Sequence, residues 1–195
     1  MHMLVELSQN LMNKLGIIVL AAFVLSKSDF FKDYLLKEKL TLKGKILFSI
    51  IFGGVGIIGT YWGVPVNDAI ANSRSIGVIV AGLFGGPAVG VGAGLIAGIH
   101  RILIPTGRFT AVACGISTVV GGMMAGYLKG YVDTKPNKWI WGLIICAWIE
   151  TIQMGIILIV ARPFDQAVNL VQLIFLPMAF INAIGTAAFI LLIEQ

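Results

Sequence analysis

The chain has 195 residues, of which 58% are hydrophobic and 12% charged, and its net charge is +5. Soluble domains carry roughly 25% charged residues, so this composition excludes an ordinary soluble domain and predicts an integral membrane protein. The lysines cluster in loops between apolar runs, so the positive charge does not indicate a surface for direct nucleic-acid binding.

Five apolar runs are long enough to cross a hydrocarbon core of about 30 Å. The predicted spans are residues 4–25, 46–62, 110–128, 139–161 and 168–193. Lysine-containing loops, 26–45 and 129–138, follow the first and third of these spans. A turn-rich linker, residues 63–73, follows the second. The pattern predicts an all-α membrane domain covering residues 1–195.

The stretch 74–101 differs from the five spans because Gly85-Gly86-Pro87 interrupts its middle. A proline removes a backbone donor and loosens a helix, so the stretch is predicted to be two half-helices. Glycine recurs at every fourth position, which leaves one helix face bare for another backbone to approach. Broken helices of this kind form binding sites in transporters, so we interpret the stretch as the ligand-binding element.

Charge favours a re-entrant path for this stretch, with five true spans around it. On that path nine of the ten lysines lie on one face of the membrane and all four arginines on the other. The positive-inside rule then places the lysine face and the C-terminus in the cytoplasm. The alternative is six spans, which the unbroken glycine spacing would also suit.

Arginine in excess on the outer face runs against the positive-inside rule. The positions of two of the four arginines suggest an explanation. Arg74 and Arg101 border the broken stretch, and a guanidinium grips a carboxylate with two parallel hydrogen bonds. Asn72 or Ser73 is positioned to cap the half-helix that begins at Arg74, where an anion is favoured. A small-carboxylate site is one interpretation; contact with lipid phosphates is the other.

Other polar residues inside the apolar runs are open to two interpretations. Cys114 and Ser117 lie three residues apart on one helix face, where they would either hydrogen-bond a ligand or fill a helix interface. Lys14 and Glu150 each lie near the middle of a span, where a charge is costly, and we predict that they form a structural ion pair. The two histidines do not make a metal site, and no catalytic motif or cofactor is expected.

Six motifs of the chain are informative together: GTYWGVPVNDAIANSRSIGVIVAGLFGGPAVGVGAGLIAGIHR, TAVACGISTVVGG, ETIQM, ARPFDQAV, LPMAFINAIGTAAF and the early SKSDFF. With these motifs the chain resembles the five-transmembrane sensory domain of LytS-type sensor histidine kinases. The resemblance covers most of the chain. One departure is the segment ILIPTGRF, which is longer than the short Gly-Gly link usual in the family and adds Arg108 as a further candidate ligand residue.

The resemblance implies a sensor of the bacterial cytoplasmic membrane that binds a small extracellular 2-oxo carboxylate, typically pyruvate. The family's ligand contacts match Arg74 of ANSR, Arg101 of GIHR, Cys114 of TAVAC and Ser117 of GIST. The family continues into a cytoplasmic GAF domain and a dimeric histidine kinase, which signals to a LytTR-type response regulator. Neither module is expected within these residues, so the chain itself is not expected to be an enzyme.

Two functions of other classes remain open at the level of sequence. One is a small-carboxylate transporter or substrate-capture membrane subunit, because transporters also use glycine-rich broken helices. The other is a partner-binding module, for instance in the regulation of cell-wall turnover, which would need no small ligand. Uptake of labelled pyruvate by liposomes that contain the chain would favour the transporter.

Overall fold

The computed structural model describes residues 2–28 and 41–194. Residues 29–40 of the predicted 26–45 loop, which include the last three residues of the SKSDFF motif, lie outside the described residues. The helices are α1 (His2–Lys27), α2 (Leu42–Tyr61), α3 (Arg74–Gly85), α4 (Pro87–Leu103), α5 (Ala111–Asp133), α6 (Lys138–Val160) and α7 (Phe164–Ile193). A 3-10 turn, Arg108–Thr110, precedes α5.

The membrane architecture predicted from the sequence is confirmed. Within residues 2–28 and 41–194, five helices are long and apolar enough to cross a membrane, namely α1, α2, α5, α6 and α7. The other two, α3 and α4, have 12 and 17 residues. At 1.5 Å per residue they extend about 18 Å and about 26 Å, less than a hydrocarbon core of about 30 Å.

The two short helices form a hairpin that is broken at Gly86. Gly86 has a φ of +81°, which glycine adopts without strain, and Pro87 begins α4, where its missing N–H would have no helical acceptor. Gly82 and Gly90, four residues on either side of Gly86, bring the two backbones together. Arg74 and Arg101, at the far ends of α3 and α4, also lie within electrostatic reach of each other. The path is therefore re-entrant, and the six-span alternative is wrong.

The predicted glycine face is confirmed, and it packs on α5. Gly90 lies against the Gly122 carbonyl, Gly94 against the Thr118 carbonyl, and Gly98 against the Gly115 carbonyl. A methyl group at any of these three glycines would overlap the backbone of α5. Gly82 of α3 also faces the Gly122 carbonyl, so the repeated glycines bring both short helices close to α5, while Gly86 forms the break between them.

A small β-hairpin replaces the linker expected after the second span. Strands β1 (Val64–Val66) and β2 (Ala69–Ala71) pair antiparallel, with Val66 opposite Ala69. The two-residue loop begins with Asn67, whose φ of +53° suits a tight hairpin turn. β2 is fully buried, so the hairpin closes over the end of the bundle where α3 begins.

Three span boundaries differ from the prediction by four or five residues, each for a local reason. Helix α2 begins at Leu42 rather than Ile46, because the Thr41 side chain caps it by accepting a hydrogen bond from the Gly44 backbone N–H. Helix α5 continues past the predicted end at Leu128, and its last turn contains the Lys129–Asp133 ion pair at 2.5 Å. Helix α7 begins at Phe164 rather than Val168, since Pro163 is its N-cap. All three changes lengthen helices without changing the number of spans.

Candidate functional site

The guanidinium of Arg74 is buried at the first residue of α3, with 1% of the residue exposed. Asn72 Oδ1 accepts a hydrogen bond from the Arg74 backbone N–H at 3.2 Å, which fixes the start of the helix. The side chain reaches α5, where Nε donates to Thr118 Oγ1 at 2.7 Å and Nη2 donates to the Cys114 carbonyl at 3.3 Å. Nη1 has no partner among the described residues.

The second guanidinium, that of Arg101 near the end of α4, is fully buried as well. Its Nη1 donates to the Thr106 carbonyl at 3.2 Å, and its Nη2 donates to the Gly107 carbonyl at 2.5 Å and to Thr110 Oγ1 at 3.3 Å. Its Nε is unpaired within the part of the chain that the structure describes. The ILIPTGRF segment therefore wraps the outer end of Arg101 with backbone carbonyls.

Cys114 and Ser117 lie beside these two arginines, on the first turns of α5. Both are buried, and the Cys114 side chain lies within hydrogen-bonding reach of Arg101. Ser117 Oγ donates to the Cys114 carbonyl at 3.0 Å and also bonds Gln153 Oε1 of α6 at 3.2 Å. The structure thus brings together the predicted residues Arg74, Arg101, Cys114 and Ser117, which we call the arginine site.

A second group of polar residues lies behind Arg74, where α3, α6 and α7 meet. Glu150 of α6 is fully buried, and its Oε1 accepts hydrogen bonds from Ser75 Oγ and, at 2.8 Å, from Asn182 Nδ2. Asn182 also donates to the Asn72 carbonyl at 3.0 Å. We call Glu150, Ser75 and Asn182 the Glu150 cluster. It ties the start of α3 to α7.

The predicted ion pair between Lys14 and Glu150 is wrong. Lys14 Nζ donates instead to the Gly63 carbonyl at 2.9 Å, at the end of α2. Glu150 faces α3 and α7, and its Oε2 has no hydrogen-bond partner among the described atoms. Two residues at similar depth in the membrane can pair only if the helix faces that carry them are in contact. Depth alone therefore does not predict an ion pair.

Lys14→Met and Glu150→Gln are therefore expected to act independently on stability. In a double-mutant cycle of thermal unfolding in detergent, residues without shared partners add within about 0.5 kcal/mol. A coupling of about 1.5 kcal/mol or more would indicate that the ion pair forms in solution. Lys14→Met alone is expected to cost about 1 kcal/mol, because it removes a single hydrogen bond.

Arg108 does not join the arginine site. It is exposed at the start of the 3-10 turn, whereas its neighbour Phe109 donates its backbone N–H to the Asp68 carbonyl of the β-hairpin. The segment contacts Arg101 instead through the Thr106 and Gly107 carbonyls. The prediction that Arg108 itself binds the ligand has no support from its position.

The hydrogen-bond partners of Arg74 and Glu150 are not predicted from the sequence. Thr118 holds Arg74, while Ser75 and Asn182 hold Glu150. The available signals were weak: Ser75 follows Arg74 directly, and Asn182 is an amide within an apolar run. Only the packing of α3 against α5, α6 and α7 gives these residues their partners.

A cleft of about 690 Å³ lies immediately outside Arg101. It is formed by the end of α2, the β-hairpin and the segment from Ile104 to Gly107. Gly107 separates it from Arg101, since a methyl group at Gly107 would lie 2.9 Å from Arg101 Nη2. The cleft is therefore next to the arginine site, with a thin wall of loop backbone between them.

The fold is that of a multi-pass membrane domain, in which five membrane helices surround the re-entrant pair. It encloses a polar site, since the two arginines at the ends of the pair far from Gly86 are buried. Residues 28–195 match the family model described as the 5TMR of 5TMR-LYT. The chain therefore belongs to this family, the five-transmembrane sensory domain of LytS- and BtsS-type bacterial sensor histidine kinases.

Curated relatives agree with the family model. The chain is 37% identical to the sensor histidine kinase BtsS of Escherichia coli (strain K12) over 185 residues, which are 92% of this chain and 32% of that protein. It is 34% identical to the sensor protein LytS of Bacillus subtilis (strain 168) over 210 residues, 98% of this chain and 35% of that protein. The LytS protein of Bacillus anthracis is 33% identical over 201 residues, 93% of this chain and 33% of that protein.

The chain spans about a third of the length of these curated relatives. No solved structure matches it. The resemblance read from the ANSR, GIHR and TAVAC motifs is thus confirmed at the level of the family.

Proposed function

We propose that this domain binds a small 2-oxo carboxylate, pyruvate in the first instance, between Arg74 and Arg101. The observation that carries the proposal is the burial of two guanidiniums that each keep an unpaired N–H group, Arg74 Nη1 and Arg101 Nε. A buried cation is costly unless an anion and hydrogen-bond acceptors compensate it. A bound carboxylate supplies both.

The surroundings of the two arginines suit a short, partly apolar acid. Cys114 and Ser117 contact the 2-oxo or methyl end of the ligand in this proposal, and the Thr118 hydroxyl holds Arg74 in place for the carboxylate. The ligand enters from the cleft of about 690 Å³ outside Arg101. It competes there with the loop carbonyls of Thr106 and Gly107 for the Arg101 donors.

The orientation in the membrane follows from charge. Lys138 and Glu194 form an ion pair, with Nζ and Oε1 3.0 Å apart. The pair lies where α6 begins and α7 ends, at the end of the bundle opposite the β-hairpin. The positive-inside rule places this lysine-bearing end, and the C-terminus with it, in the cytoplasm. The arginine site then opens to the outside, surrounded by membrane lipid at its flanks.

In this proposal the signal that follows ligand binding is produced by the whole receptor, of which this domain is the sensing part. In the proposed receptor a GAF domain and a histidine kinase follow in the cytoplasm, the protein is a homodimer, and the kinase signals to a LytTR-type response regulator. Ligand binding biases one of two arrangements of α3 and α4 against α7, because a ligand shifts an equilibrium only through different affinities for the two states. Asn182 hydrogen-bonds the Asn72 carbonyl just before α3, and in this proposal it couples α7 to the shift.

Calorimetric titration of the purified chain in detergent with pyruvate, lactate and acetate tests the proposal. We expect saturable binding of pyruvate, weaker binding of lactate, and the weakest binding of acetate, which lacks the 2-oxygen. Absence of binding for all three acids would overturn the proposed ligand class. Uptake of labelled pyruvate by liposomes would assign the same site to a transporter instead.

A further inference from the structure

The side-chain amide of Gln153 borders the arginine site without belonging to it. Gln153 lies on α6, and only 3% of the residue is exposed. Its Oε1 accepts a hydrogen bond from Ser117 Oγ at 3.2 Å, whereas the N–H groups of its Nε2 have no partner among the described residues. A buried amide with unpaired N–H groups costs free energy, so a ligand that accepts from it would be favoured.

The proton of Ser117 decides which end of this amide is left unpaired. A hydroxyl has one proton, and that of Ser117 has two acceptors in reach, the Cys114 carbonyl at 3.0 Å and Gln153 Oε1. The Cys114 carbonyl also accepts from Thr118 Oγ1 at 2.5 Å and from Arg74 Nη2 at 3.3 Å, which are already enough for its two lone pairs. The Ser117 proton is therefore better placed on Gln153 Oε1, and the Nε2 end remains a donor.

The same hydrogen bonds connect Gln153 to Arg74. Arg74 Nη2 and Ser117 Oγ both contact the Cys114 carbonyl, and Ser117 contacts Gln153. Two unpaired donors, Arg74 Nη1 and Gln153 Nε2, thus belong to one small network of buried side chains. A 2-oxo acid carries an acceptor for each of them, its carboxylate for the guanidinium and its 2-oxo oxygen for the amide.

We infer that Gln153 is a further ligand-binding residue, whose Nε2 donates a hydrogen bond to the 2-oxo oxygen of the bound acid. The inference rests on the proposed function, since it concerns the same site. Ser117 then positions Gln153, because its proton holds the amide with Nε2 toward the ligand. A site that hydrogen-bonds an oxygen of its ligand rejects the analogue that lacks this oxygen, because the polar group of the protein is then left unpaired.

The neighbouring polar residues of α6 do not offer this contact. Thr151 is exposed, and its hydroxyl donates to the Ala147 carbonyl of its own helix. Glu150 Oε1 accepts from Ser75 and Asn182, on the side of α6 that faces α3 and α7. Gln153 is thus the residue that connects α6 to Ser117.

Pyruvate and propionate provide the test, because they are monoanions of nearly equal size and propionate has a methylene in place of the 2-oxo group. Since their charge is the same, the ratio of their affinities isolates the contact at carbon 2. Both are titrated by calorimetry in detergent into the 195-residue chain and its variants. We expect the unsubstituted chain to bind propionate about tenfold more weakly than pyruvate, as for a lost hydrogen bond that leaves a buried donor unpaired. Equal affinities would overturn the inference.

Gln153→Met keeps the length of the side chain and removes its N–H groups. The affinity for pyruvate should fall about tenfold and that for propionate should stay within about twofold, so that the two become nearly equal. A purely structural role would lower both affinities together and leave their ratio unchanged. An unchanged ratio in a folded variant would overturn the inference, while pyruvate binding by the unsubstituted chain upholds the proposed function.

Gln153→Asn is the second variant, for the case in which Gln153→Met does not fold. It keeps a buried amide but is one methylene shorter, so it cannot keep the bond to Ser117 and also reach the ligand. The pyruvate-to-propionate ratio should fall here as well, and an unchanged ratio has the same meaning as for Gln153→Met.

Ser117→Ala distinguishes the two possible donors to the 2-oxo oxygen. It removes the bond that holds Gln153 and leaves the amide in place, so the pyruvate-to-propionate ratio should fall less than in Gln153→Met. If Ser117→Ala abolishes the preference and Gln153→Met retains it, Ser117 is the donor and the inference is overturned.

Thr151→Val is the matched control, since it removes a polar group from the exposed face of the same helix. Its affinities for both acids should stay within about twofold of the unsubstituted values, because its hydroxyl contacts only its own helix. A fall in the ratio as large as that of Gln153→Met would show that the preference does not depend on contact with Gln153. If the unsubstituted chain binds neither acid, the proposed function fails first, and the inference fails with it.

Discussion

Replacement of Arg74 by alanine is expected to lower the affinity for pyruvate by about a hundredfold or more. Truncation of one member of a buried, hydrogen-bonded charge pair costs about 2–5 kcal/mol in comparable interfaces, and about 1.4 kcal/mol corresponds to tenfold. Arg101→Ala should have a loss of similar size, since each variant leaves the carboxylate with a single cation. Calorimetric titration with pyruvate measures both.

The Arg74→Lys variant separates charge from geometry. Lysine keeps the positive charge but presents a single ammonium, so it cannot donate to Thr118, to the Cys114 carbonyl and to a ligand from one planar group. We expect it to recover part, but not most, of the lost affinity. Full recovery would show that the site needs only a charge at this position.

Arg162→Ala is the matched control for the arginine variants. Arg162 is exposed after α6, and its Nη1 donates to the Leu158 and Ala161 carbonyls of its own helix end. Its replacement should leave the pyruvate affinity unchanged within about twofold, because a surface charge of this kind contributes little. Equal losses in Arg74→Ala and Arg162→Ala would contradict the arginine site.

Gly90→Ala is expected to destabilise the domain by about 1–3 kcal/mol, the range for added volume in a packed core. The new methyl group would overlap the backbone of Gly122, and it would also approach Gly82 Cα at 3.0 Å. Neither neighbour has a side chain that could move aside. Thermal unfolding in detergent should therefore show a lower midpoint than for the unsubstituted chain.

Gly155→Ala provides the comparison for this variant. Gly155 lies in α6 with no heavy atom within 4 Å of the added methyl position. Alanine is the better helix former by about 1 kcal/mol, so this variant should be as stable as the unsubstituted chain or more stable. If Gly90→Ala proved as stable as Gly155→Ala, the close approach of α4 to α5 would be wrong.

The Gly90 variant also connects packing with binding. Helices α3 and α4 carry Arg74 and Arg101 at their outer ends, and the contact of α4 with α5 holds Arg101 beside Cys114. A shift of α4 by the width of a methyl group would therefore move one arginine relative to the other. We expect the folded Gly90→Ala protein to bind pyruvate more weakly, in addition to its lower stability.

Much of the fold could be predicted from local features of the sequence. Apolar runs of sufficient length define the five spans, because a helix must satisfy its backbone hydrogen bonds within the membrane. Gly86-Pro87 defines the break, because these two residues favour the end of one helix and the start of the next. The distribution of lysine and arginine then selected the re-entrant path, and the ANSR and GIHR motifs indicated the family.

Only the tertiary structure decided which polar groups meet. The sequence placed Lys14 and Glu150 at similar depth, yet α1 and α6 turn these residues toward different neighbours, Gly63 and the start of α3. Arg108 and Arg101 are close in sequence, but one is exposed and the other buried. The physical reason is that length and composition act along the chain, whereas the partner of a buried polar group depends on helix rotation and on contacts between residues distant in sequence.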